Sequence, residues 1–143
     1  MSANQRQNIC FGVDDLDGGQ RLLKNDQNTV VKALIIEVRE FLHERDWEKY
    51  HTPKDLAESI CIEAAELLQL FQWIKPEESN QFKNDPSKIN QIREELADVV
   101  IYCLSMANTL SLDLTKAVLN KIKQNKEKYP TDRYKGKAHL NQL

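Results

Sequence analysis

Two short acidic repeats hold the residues best suited to chemistry, Glu63-Ala64-Ala65-Glu66 and Glu95-Leu96-Ala97-Asp98. On a helix, acids at i and i+3 project from one side, a turn apart. With residues about 100° apart and the first acid of each repeat at zero, Glu66 and Asp98 both fall near −60° on their helices. Leu56, Ile60, Ala64, Leu67, Leu68 and Phe71 then fill about +20° to +140° of the first wheel. Ile92, Leu96, Val99, Val100, Cys103 and Met106 cover much the same arc of the second. Each apolar stripe is therefore bordered by carboxylates, which aims the acids into the gap between packed helices. Four carboxylates gathered there repel and raise one another's pKa. A hard divalent cation removes that cost, and Mg2+ prefers oxygen ligands while keeping waters that phosphate oxygens can replace. The alternative is a non-enzymatic helical interaction protein whose acidic rows are salt bridges, with Arg93 or Lys88 as the bases. Glu94 is placed to pair with those bases, and Glu58 and Glu37 could join the cluster, although their phase does not demand it.

Lys121, Asn125 and Lys128 stand at i, i+4 and i+7 on a later helix, opposite the apolar Val118 and Ile122. Two cations and an amide in line suit a grip on phosphates from the side opposite a metal. Tyr129 follows directly, and Lys135 and Lys137 flank Gly136 in the tail. Trp47, Trp73 and Tyr102 are the candidates for stacking on a base. Tyr102 falls near −20° on its wheel, between Glu95 and Asp98. Core or dimer packing is the competing use of each aromatic. His43, His51 and His139 lack the spacing of a catalytic pair or a metal site.

These side chains need helices to position them. Apolar residues recur at helical spacing from residue 29 to about 45. Thr52-Pro53 pairs a capping hydroxyl with a proline at the first helical position, opening a second helix expected to reach about Trp73. Asp85-Pro86 repeats that signal for a third helix to about Thr109, and Asp113 caps a fourth that Pro130 stops. Residues 1–28 read as a polar, flexible arm, residues 29–130 as one helical domain, and residues 131–143 as an irregular tail. Asp14-Asp15-Leu16-Asp17-Gly18-Gly19 lacks the acid spacing of a calcium loop. The chain's 143 residues suit one domain, and 29% charged against 41% hydrophobic residues is an ordinary globular balance. A net charge of −2 provides no basic field for a nucleic-acid polymer. Cys10, Cys61 and Cys103 form neither a disulfide framework nor a zinc pattern, and the latter two suit small core positions. No signal-like or membrane-spanning apolar run is present, so a soluble, cytoplasmic protein is expected.

The run from Glu63 to Trp73, followed by Glu94-Glu95-Leu96-Ala97-Asp98-Val99-Val100-Ile101-Tyr102, resembles the paired ExxE and ExxD signatures of MazG-like pyrophosphohydrolases. The run from Lys121 to Pro130 is similar to their third motif. The resemblance covers about residues 29–130, with the three motifs in order. Arg45-Asp46-Trp47, His51 and Pro53 further resemble the dCTP pyrophosphatase branch. It implies an all-α four-helix bundle, assembled as a homodimer or dimer of dimers with active sites near subunit interfaces. It implies Mg2+-dependent hydrolysis of (deoxy)nucleoside triphosphates to monophosphate and pyrophosphate, with dCTP or modified dNTPs among the favoured substrates. By the same resemblance Glu63, Glu66, Glu95 and Asp98 match the Mg2+ ligands. Lys121, Asn125 and Tyr129 match triphosphate contacts, and Trp47 and Trp73 match aromatic positions near the base. Relatives selective for dCTP carry a His in the first helix where this sequence has Val38, so a relaxed preference for cytosine is expected.

Overall fold

A computed structural model describes residues 24–137, and among these every regular element is helical. The expectations for residues 1–23 and 138–143, including most of the arm, Cys10 and His139, lie outside the described residues. Residues 24–30 form a turn closed on the Asn25 carbonyl, which accepts from the backbone N–H of Asn28 and Thr29.

The helical unit contains α1 (Val31–His43), α2 (Pro53–Gln69), the short α3 (Pro76–Ser79), α4 (Pro86–Thr109), α5 (Leu114–Lys128) and the short α6 (Thr131–Tyr134). Single turns of 3-10 helix at Glu48–Tyr50 and Phe82–Asn84 fill two connections. Helix starts follow side-chain chemistry. Thr52 accepts from the Asp55 N–H at 3.3 Å, Asp85 from Ser87 and Lys88 at 2.9 and 3.1 Å, and Asp113 from Lys116 at 2.8 Å. Each bond satisfies an otherwise orphaned N–H of the first turn.

The ends of α1 and α4 use a different device. Asp46 and Ser111 take left-handed φ values of 52° and 51°. One residue later, the N–H of Trp47 returns to the Leu42 carbonyl and that of Leu112 to the Ala107 carbonyl, at 3.0 and 2.8 Å. Those six-to-one bonds are the Schellman closure, made here without glycine. The second helix ends at Gln69, short of the expected Trp73. Its last turns tighten to i→i+3 bonds, from Leu70 to Leu67, Phe71 to Leu68 and Gln72 to Gln69. The tail, expected to be irregular, instead makes the one-turn α6.

Helix α4 is the element on which both α1 and α2 pack. Val38, Leu42 and Leu104 form the buried core, with Ile35, Phe41, Ile101 and Leu114 against it. Leu56 and Ala107 are also buried. Buried Ser105 is satisfied by donating to the Ile101 carbonyl at 2.9 Å. The Asn108 amide ties α4 to the Ile35 carbonyl of α1 at 3.1 Å. Past the Ser111 elbow, α5 departs from α4 at 107°.

Part of the expected apolar stripe stays uncovered. Leu68, Leu96 and Val100 are 68%, 50% and 42% exposed, because the α2–α4 seam runs on the carboxylate side of both helices. Cys61, expected as a small core residue, is exposed for the same reason, while Cys103 is half-buried. No single helix among the described residues is long and apolar enough to cross a membrane.

Candidate metal centre at the α2–α4 seam

The seam gathers three of the four expected acids. Glu63 and Glu66 from α2 and Glu95 from α4 each present a carboxylate oxygen, and the three oxygens lie within 4.8 Å of one another. Glu95 is only 6% exposed, and its Oε2 is shut off from solvent, whereas Glu63 and Glu66 are half-buried. One acid thus anchors the cluster from beneath while two remain open to an approaching ligand. Asp98, also half-buried, stands one turn beyond Glu95 and outside the tight triad. An all-oxygen donor set of this compactness suits a hard divalent cation, which turns mutual repulsion into attraction.

The bases expected for a salt-bridge network are engaged elsewhere. Arg93 donates to Asn90 Oδ1 at 3.1 Å and Lys88 to Gln91 Oε1 at 3.4 Å. Glu94 accepts from the Asn90 amide at 2.8 Å and Glu58 from the Lys54 ammonium at 2.6 Å, which gives both acids structural roles.

Tyr102 belongs to the same neighbourhood. Its hydroxyl faces Ser59 of α2 and lies close enough to Glu63 and Asp98 to feel their charge. Burial first, then the Glu63 carboxylate, holds the phenol above its ordinary pKa, so it stays a protonated donor at neutral pH. On its other side, the His51 ring stacks on it with centroids 6.4 Å apart and planes at 19°. Ser59 did not stand out in the sequence, and His51 did so only in the resemblance to the dCTP pyrophosphatase branch. Ser59 sits four residues before Glu63, on the same helix face, which is the one local signal that pointed to it.

Trp47 meets Phe41 edge-to-face, with centroids 5.8 Å apart, and is 45% exposed. Trp73 is 91% exposed, and its φ of +66° is a conformation that bulky side chains rarely adopt. A ring that buries almost nothing gains little for that strain within one copy. Replacing Trp73 by Asn, which tolerates the left-handed region, should therefore raise the unfolding free energy by roughly 0.5–1 kcal/mol. Urea denaturation measures it, and a destabilised variant would show that the indole packs more than its exposure implies.

The remaining expected contacts do not converge here in one copy. Lys121, Asn125, Lys128 and Tyr129 are exposed, and α5 has no extensive packing on α2 that would lay this face over the carboxylates. Lys128 lies over the Tyr129 ring, 5.2 Å from its centroid, and Tyr129 meets Tyr134 edge-to-face. A cleft of about 1070 Å³ opens between α1 and the α4–α5 elbow, lined by Lys32, Arg39, His51, Asn108 and Lys116 among others. None of the four acids lines it. Val38 is 5% exposed in the α1–α4 core.

Known proteins share this arrangement of helices. The model of the MazG-like family matches residues 58–139. The dCTP pyrophosphatase 1 of Rattus norvegicus is 37% identical over 99 residues, which are 69% of this chain and 58% of that protein. The Homo sapiens dCTP pyrophosphatase 1 is 40% identical over 91 residues, covering 64% and 54%. The chain thus spans little more than half the length of these relatives. The crystal structure of a pyrophosphatase from Archaeoglobus fulgidus superposes with a TM-score of 0.63 at 41% identity, over 69% of this chain and 91% of that one.

Proposed function

This chain belongs to the MazG-like family, and on that premise we propose that it hydrolyses (deoxy)nucleoside triphosphates to monophosphate and pyrophosphate in a Mg2+-dependent reaction. The observation that carries the reading is the convergence of Glu63, Glu66 and Glu95 at the α2–α4 seam. The dCTP pyrophosphatase relatives support the substrate class.

Glu63, Glu66 and Glu95, with Asp98 a turn away, would hold the cation. Bound there, it neutralises phosphate charge and lowers the pKa of a water. The protein's own groups do the rest. Buried Glu95 fixes the cluster, while half-buried Glu63 and Glu66 leave room for phosphate oxygens and water. One of the four carboxylates takes the proton as water oxygen bonds to the α-phosphorus and the bond to the bridging oxygen breaks. Tyr102 offers a hydroxyl donor beside Glu63 and Asp98. Trp47 and exposed Trp73 are the stacking surfaces for the base. Val38, buried in the core, offers no polar group to read cytosine, which favours a relaxed base preference.

Lys121, Asn125, Lys128 and Tyr129 contact the triphosphate in this reading, and Lys121 offsets charge on the leaving pyrophosphate. In this reading a second copy supplies them, which fits the lack of extensive α5 packing on α2 within one chain. The working unit is therefore a homodimer or a dimer of dimers.

Pyrophosphate release from a panel of (d)NTPs, with Mg2+ and with EDTA, tests the proposal. Metal-dependent release that differs among bases is expected. Silence across the panel from well-folded protein would overturn it and leave the acids as a structural cluster in a helical interaction protein.

A further inference from the structure

We propose that Asn108 is a positioning residue, which fixes the elbow after α4 and so aims Lys121 and Asn125 of α5 at the phosphates of the substrate. The inference rests on the nucleotide reading above, and it adds a residue with no place among the proposed metal and nucleotide contacts.

Helix α5 packs extensively on no other helix of its own chain, yet it leaves α4 at a definite angle of 107°. Its direction must therefore be set where it starts. Ser111 holds the left-handed φ of 51°, and the Leu112 N–H closes on the Ala107 carbonyl at 2.8 Å. Leu114 then seats the first turn of α5 against the core. A single apolar contact is non-directional, so it fixes a point and leaves rotation about it. Asn108 supplies the directional constraint. Its carbonyl accepts from the Ser111 N–H at 3.0 Å, which makes its backbone part of the turn. Its side-chain amide donates to the Ile35 carbonyl of α1 at 3.1 Å. One residue thus ties the turn that redirects the chain to the helix packed against α4.

The length of α5 magnifies any error at its base. At about 1.5 Å per residue, Lys121 stands about 10 Å and Asn125 about 17 Å beyond Leu114. A swing of about 10° then displaces them by about 2 Å and about 3 Å. Hydrogen bonds do not survive such shifts, and a misplacement of about 1 Å can cost about 100-fold in rate. The carboxylates are carried by α2 and the middle of α4, so a swing of α5 leaves them where they are.

The test compares Asn108→Ala and Asn108→Asp in the full chain. Alanine removes the side chain at no cost in helix propensity, and aspartate keeps the shape without the amide donor. Readouts are kcat and KM for the best nucleoside triphosphate, the inhibition constant of inorganic tripolyphosphate, and the rise in melting temperature on adding Mg2+. Both variants should lose about 100-fold in kcat/KM and bind tripolyphosphate about tenfold more weakly, with the Mg2+-induced rise unchanged. The same substitutions are then made in a chain already carrying Lys121→Ala and Asn125→Ala. There they should cost less than about threefold, because the groups that Asn108 aims are gone. A purely structural role predicts the full loss in both backgrounds, and that result would overturn the inference. Full activity in both variants, or a Mg2+-induced rise that falls with activity, would overturn it too, while nucleotide hydrolysis by the unaltered chain stands. Absence of hydrolysis by the unaltered chain would overturn the nucleotide reading and this inference with it.

Discussion

Glu95→Gln should abolish turnover and at the same time shrink the stabilisation that Mg2+ gives. The two effects share one cause. Glu95 is 6% exposed and presents an oxygen within 4.8 Å of oxygens from Glu63 and Glu66. Like charges 4 Å apart cost between about 1 kcal/mol in bulk water and about 4 kcal/mol near a protein surface. The half-exposure of Glu63 and Glu66 puts these pairs toward the lower figure. Glutamine keeps the shape and removes one of the charges that a cation would neutralise. It also removes one carboxylate from the candidate centre, so the stabilisation gained on adding Mg2+ should shrink. Turnover should fall on the order of 10³-fold, about 4 kcal/mol of lost transition-state stabilisation. A thermal melt with and without Mg2+, beside a pyrophosphate assay, reads both. If Glu95 served a salt bridge instead, glutamine would lower the metal-free melting temperature. Turnover retained within tenfold would remove Glu95 from the centre altogether.

The convergence of these three acids was legible in the sequence because its geometry is mostly local. Acids at i and i+3 share a helix face wherever the helix lies, and matching phase on consecutive helices brought Glu63, Glu66 and Glu95 together. Helix starts were legible for the same reason, since Thr52, Asp85 and Asp113 each bond to an N–H two or three residues ahead. Helix ends were less so. Asp46 and Ser111 adopt the left-handed turn that glycine usually marks, and the composition carries no sign of it. The partners of Tyr102 were hidden for another reason. Ser59 and His51 come from different segments, and their approach depends on how α2 is rotated and where the 48–50 turn ends, which no repeat encodes. The placement of α5 was the least legible. Its wheel shows one polar and one apolar face, but the 107° elbow after α4 decides what those faces meet.

The elbow leaves a consequence that substitution can probe. Leu96 and Val100 stand four residues apart on α4, 50% and 42% exposed, and Leu68 occupies the matching flank of α2 at 68%. On α5, Val118, Leu119 and Ile122 are 48%, 61% and 46% exposed. Apolar rows on three helices, each left open in one copy, are what a self-associating helical protein presents. Covering them contributes about 25 cal/mol for every Å² removed from water. Placing a charge in the middle of such a row should therefore break the assembly rather than the fold, because Val100 is not part of the Val38, Leu42 and Leu104 core. Val100→Asp is expected to be monomeric by analytical ultracentrifugation, with helical content retained by circular dichroism. It should keep its Mg2+-induced rise in melting temperature, since the three carboxylates come from α2 and α4 of one chain. Turnover should nevertheless fall about 100-fold, the scale of losing one or two charged hydrogen bonds to the developing charge. On the proposed reading, Lys121 and Asn125 would then no longer be delivered by a second copy. A monomer with full turnover would show that α5 reaches the carboxylates of its own chain. A Val100→Asp variant that stays assembled would move the contact to the α5 row, where Ile122→Asp makes the same test.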